Sequence, residues 1–131
     1  MIAYDPLAAP DPAKWRRLSE LAQIDLVLEY HRDAEIELPN EHLHAVLHSI
    51  VETQAAAGQE LPVAATLIRL QNEGLDRHEA IHAVAGVLSA HMQALLEGSR
   101  SASDANAPYF QELYHLTAKT WLAQQDPSGS T

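Results

Sequence analysis

Every periodic segment of this 131-residue chain repeats its apolar residues at spacings of three and four, and none alternates at a spacing of two. That single property restricts the fold to packed helices, because a 3.6-residue period puts one apolar stripe on each segment and leaves no strand to pair. Trp15, Leu18, Leu21, Ile24, Val27 and Leu28 trace the first stripe, opened by Asp11-Pro12, ending near Arg32, and divided at Ser19 into a short piece and a longer one. Asn40 caps a second helix over roughly 41–57, with Leu43, Val46, Leu47, Ile50 and Val51 inside and Gly58 at its end. Pro62 opens a third, with Val63, Leu67, Ile68 and Leu70 inside and Gly74 beyond. Asp76 opens a fourth that reaches Glu97 and stops at Gly98; its core positions are Ile81, Val84, Val87, Leu88 and Leu95. Pro108 begins a fifth, with Phe110, Leu113, Leu116, Trp121 and Leu122. The expectation is an all-α fold, a small bundle of about five helices forming one domain over 1–131. An irregular arm (1–11), a polar linker (98–107) and a frayed, disordered tail (126–131) complete it.

Composition narrows the chemistry. With no cysteine, disulfides, thiolate metal sites and cysteine nucleophiles are excluded, and a reducing cytoplasm is the expected setting. The net charge is −10, from 18 acidic and 8 basic residues, which repels a phosphate backbone and argues against a nucleic-acid partner. No run of about 18 apolar residues predicts a membrane span, and "MIAYDPLAAPDP" has no signal-peptide pattern. The same negative charge attracts cations.

Histidine supplies the chemistry-bearing pattern. Two i,i+4 pairs, His44/His48 and His78/His82, repeat at an offset of 34 residues, "HAVLHSIV" against "HEAIHAVA". Residues four apart stack on one helix face, so each pair can grip one ion. About 0.5 such pairs is expected at random for this histidine content. All four histidines border an apolar stripe, and the second and fourth helices are expected side by side. Convergence of the pairs offers four imidazole nitrogens, the number zinc prefers. Glu52 extends the first pair by a turn, as a fifth ligand or a support behind the ligands. The expected cofactor is a divalent transition metal: Zn, Fe, Ni, Mn or Cu.

HEAIH, His78 to His82, also matches the H-E-x-x-H pattern of zinc hydrolases, in which the glutamate, here Glu79, is the general base. The compact form of that motif needs glycine and histidine at 85 and 88, where this chain has Ala85 and Leu88; Glu97, Glu112 and His115 are the distant substitutes. Asp76 and Glu79 also form D-x-x-E at a helix start, the capping-box arrangement. Glu79 is therefore read as a cap. His42 is expected to be exposed, His31 to sit favourably at a helix C-terminus, and His91 and His115 at the surface with a supplementary ligand role in reserve. The alternative to a metal protein is a non-enzymatic interaction module, expected as a homodimer, whose histidines are structural.

"PNEHLHAVLHSIVETQ", "LIRLQNEGLDRHEAIHAV" and "LSAHM" resemble a family of small uncharacterised bacterial proteins with two H-x-x-x-H helices. The resemblance covers about residues 38–96, and "YDPL…W…YHR" is similar to some relatives. It rests on His44, His48, Glu52, Gln54, His78 and His82. It implies a shared structural unit and a bacterial setting, and no substrate.

Overall fold

The computed structural model describes residues 4–33, 40–98 and 107–125. Most of the predicted linker, the connector at 34–39 and the tail at 126–131 lie outside the described residues. The fold is an all-α bundle, with no strand among the described residues. Its helices are α1 (Pro12–Arg17), α2 (Glu20–Asp33), α3 (Glu41–Ala56), α4 (Val63–Asn72), α5 (Arg77–Leu96), α6 (Ala107–His115) and α7 (Ala118–Gln125), with a 3-10 turn over Gly58–Glu60.

Two breaks turn the expected five helices into seven. Ser19 was the expected division, and its hydroxyl accepts from Ala22 N at 3.1 Å to start α2. The other break falls at Thr117, whose hydroxyl accepts from Thr120 N at 3.1 Å while Thr120 Oγ1 accepts from Thr117 N at 3.3 Å. This reciprocal cap, with Ala118 N donating to Glu73 Oε1 at 2.8 Å, restarts the chain as α7.

The remaining ends follow their local chemistry. Asn40 accepts from Leu43 N to start α3. Gly58 and Gly98 take φ of 64° and 77° just beyond α3 and α5, a conformation that glycine adopts without the Cβ penalty.

Helix α3 packs against α1, α2, α4 and α5, and α5 against α3, α4, α6 and α7. The larger core lies among α3 to α7 and includes Val51, Val63, Leu67, Leu70, Ile81, Val84, Tyr109 and Leu113. A smaller cluster of Tyr4, Trp15, Val27, Leu28 and Ala45 joins the N-terminal arm to α1, α2 and α3. Leu21, Leu43, Ile68 and Leu122, expected on buried stripes, are exposed; the stripes at those positions are narrower than periodicity alone draws them. No helix among the described residues is long and apolar enough to cross a membrane.

Candidate metal centre

Helices α2, α3 and α5 each bring histidine to one point. His44 and His48 on α3 meet His78 and His82 on α5, with ring centroids 4.7 Å apart for His44–His82 and 5.2 Å for His48–His78. A fifth ring, His31 from α2, enters the same space, 4.8 Å from His44 and 5.3 Å from both His48 and His78. One potential ligand atom from each of the five lies within 4.8 Å of all the others. The two pairs converge, and the bundle adds a histidine that the periodicity had assigned to a helix end. The signal was present: His31 follows Val27 by four and continues the buried stripe of Ile24, Val27 and Leu28.

The five rings are poised to donate lone pairs. His31 Nε2, His44 Nε2, His48 Nδ1, His78 Nε2 and His82 Nε2 are buried and have no hydrogen-bond partner among the described residues. Buried polar atoms are normally satisfied, and leaving one unsatisfied costs about 1–3 kcal/mol. A cluster with five such nitrogens could hold something that accepts lone pairs, such as a metal ion.

The neutral form is favoured for His44, His48, His78 and His82. Burial, and then repulsion from His31 and His78, lowers His44 from its ordinary value to about 4. Burial, with His78, His44 and His31, lowers His82 to about 3. Burial likewise pulls His48 well below the ordinary histidine range, and His78 downward. Neutral imidazole is the metal-binding form.

The dimensions fit one ion. Metal–imidazole bonds are about 2.0–2.1 Å long, so nitrogens on opposite sides of an ion are about 4.2 Å apart. A spread of at most 4.8 Å closes onto that with shifts of less than an ångström. The rings of His44 and His82 also border a cleft of ≈ 510 Å³ lined by Leu47, Gly86, Val87, Glu112 and Trp121. Their unpartnered nitrogens are nonetheless buried from solvent.

Glu52 stands behind the histidines. Both of its oxygens are held by Arg77, Oε1 by Nη2 at 2.7 Å and Oε2 by Nη1 at 2.8 Å. The Tyr4 hydroxyl donates to Glu52 Oε2 and lies 2.7 Å from His48 Nε2. Glu52 is therefore outside the five-residue group and reaches it through Tyr4. Arg77 also donates to the carbonyl of Pro6 at 3.0 Å, which fixes the N-terminal arm across this end of α5. Burial, and then the Glu52 carboxylate, push the Tyr4 hydroxyl up, so it keeps its proton. Sequence patterning could not find Tyr4 or Arg77, since their contacts span 25 to 71 residues and follow no period.

Glu79 is not turned to the histidines. Its Oε1 accepts from Asp76 N at 2.9 Å, and Glu79 N donates to Asp76 Oδ1 at 2.7 Å, completing the capping box. His42 and His115 are exposed. His91, expected at the surface, is buried and stacks on Tyr109 with ring centroids 5.5 Å apart, away from the cluster; α6 packing on α5 covers it. No protein-family model, curated protein or solved structure matches this chain.

Proposed function

We propose that this protein binds one divalent transition-metal ion through His31, His44, His48, His78 and His82. The supporting observation is the convergence of five histidines, each offering one ring nitrogen within 4.8 Å of the others, and each holding one buried nitrogen without a partner among the described residues. A structural cluster would spend its ring N–H groups and lone pairs on protein partners. An all-imidazole donor set favours zinc, copper, iron or nickel, and disfavours manganese, which prefers oxygen ligands. Glu52 serves as a support behind His48. The ion holds α2, α3 and α5 together, and the buried ligand set fits a structural, carrier or electron-transferring ion better than hydrolysis. With Glu79 engaged in its cap, the zinc-hydrolase reading has no base.

The test is elemental analysis of protein purified without a histidine tag. One zinc, copper, iron or nickel per chain is expected, falling sharply in His31→Ala and His82→Ala. No metal as purified, and no rise in melting temperature on adding Zn, Fe, Ni or Cu, would overturn the reading.

A further inference from the structure

The five histidines do not present the same atom. Four leave Nε2 unpartnered and His48 alone leaves Nδ1. The reason lies outside the cluster. Arg77 donates to both oxygens of Glu52, so that each oxygen is already an acceptor. The single proton of the Tyr4 hydroxyl is therefore given to Glu52 Oε2. The Tyr4 oxygen is left as an acceptor, and the atom 2.7 Å away, His48 Nε2, must carry the hydrogen. A neutral imidazole with its proton on Nε2 has its lone pair on Nδ1. His31 is the contrast: its Nδ1 donates to the Val27 carbonyl at 2.9 Å, which leaves the lone pair on Nε2.

We propose that Tyr4 is a positioning residue for the metal centre. Oriented by Glu52 and Arg77, it fixes the tautomer and rotation of His48 so that this ring binds through Nδ1. The inference rests on the metal reading above and deepens it. The path runs from guanidinium to carboxylate to phenol to imidazole, so the negative charge of Glu52 is felt at His48 through one shared proton and one accepted one. Partners of this kind orient ligating histidines and raise their basicity. The arrangement also makes the site depend on the N-terminal arm, which supplies Tyr4.

Three measurements test it. In metal-free protein at pH 7.5, long-range ¹H–¹⁵N correlation spectra should show His48 protonated on Nε2 and His31 on Nδ1. Tyr4→Phe keeps the ring against Trp15, 5.7 Å between centroids, and removes only the hydroxyl. It should retain one metal per chain, weaken zinc about 10–100-fold, and abolish the fixed His48 pattern. Tyr109→Phe, which removes a hydroxyl bonded to Gln54 at 2.6 Å, is the control and should leave zinc affinity unchanged. A His48 ring protonated on Nδ1 in the parent would overturn the proposal even if Tyr4→Phe fails to fold. Unchanged zinc affinity in a folded Tyr4→Phe would overturn it as well. A parent that shows the predicted tautomers but binds no metal would instead remove the metal reading and leave Tyr4 orienting His48 for no ion, which also ends the proposal.

Discussion

Leu70, Ile81 and Leu113 belong to a cluster of buried apolar side chains, whereas His48, Glu52 and Arg77, also buried, are polar and are held in hydrogen bonds. The first region stabilises the chain by removing hydrocarbon from water, a term that scales with area and tolerates imprecision. The second gains little from area. It depends on each charge and hydrogen bond meeting its partner, and it leaves five ring nitrogens without one. The contrast teaches that one bundle holds a part kept together by buried hydrocarbon and a polar part whose histidines could hold a metal ion, with α3 and α5 shared between them. Val51 and Glu52 are neighbours on α3 and are both buried, yet Val51 belongs to the apolar core and Glu52 to the polar network.

The largest effect is expected from breaking the polar region at its charge pair. Glu52→Ala leaves Arg77 buried without its carboxylate, and loss of one partner of such a pair costs about 3–5 kcal/mol. Chemical denaturation of the metal-free protein should show this loss, together with weakened metal binding, because Tyr4 loses its acceptor. A drop below about 1 kcal/mol would mean that water reaches this pair. In the apolar region, Leu70→Ala should cost about 2–5 kcal/mol. Its metal affinity should stay at the parental value, since Leu70 belongs to the apolar cluster and not to the histidine group. Loss of metal binding in a folded Leu70→Ala protein would show that the two regions are not energetically separable.

Metal should act on one region and be read in both. At a free concentration 100 times its dissociation constant, an ion stabilises the fold by about 2.7 kcal/mol. Melting curves should move up by several degrees in the parent and in Leu70→Ala, and stay in place in His82→Ala. A shift retained in His82→Ala would place the ion elsewhere.

The parts of this contrast that patterning revealed are the ones that follow a local period. The apolar faces of α4 and α5 and the two i,i+4 pairs are periodic, and the bundle and the meeting of His44, His48, His78 and His82 follow from them. His31 was legible by its step from Val27 but was read as a partner of the helix dipole. Tyr4 and Arg77 belong to contacts made only after the chain has folded. Glu52 was seen in the correct line with His48, and only the arm shows that its carboxylate stops one residue short of the cluster. Thr117 carried its break in the T-x-x-T spacing with Thr120, hidden because the apolar stripe continues across it.

Acid should separate the regions next. The folded values of His44 and His82 are lowered to about 4 and about 3, against an ordinary 6.5. Below 6.5 the unfolded chain takes up protons that the folded chain refuses, so stability is full above that pH and is lost as pH falls toward 4. Metal-free parent should show this decline between pH 6.5 and 4, and His44→Leu combined with His82→Leu should flatten it. An equal slope in the double variant would assign the decline to groups other than these two, His48, His78 and carboxylates among them.

The smallest effect concerns Glu79, and it separates a histidine pair that belongs to the metal from a glutamate that belongs to the backbone. In H-E-A-I-H the two histidines face the cluster, while Glu79 turns back to Asp76 N at 2.9 Å. As a cap, its side chain needs only an acceptor oxygen, which glutamine also has. Glu79→Gln should therefore change stability by less than about 0.5 kcal/mol. Glu79→Ala removes the acceptor and should cost about 0.5–2 kcal/mol, by analogy with N-cap losses. Neither should change metal content, because the carboxylate is outside the five-histidine group. If Glu79 were a general base, the order would invert: Glu79→Gln would keep the metal, keep the fold and abolish a hydrolysis that the parent performs. Casein hydrolysis by the metal-loaded parent, lost in Glu79→Gln, is the result that would return the motif to the hydrolases. Equal metal content with a stability loss confined to Glu79→Ala is the result expected from the capping box.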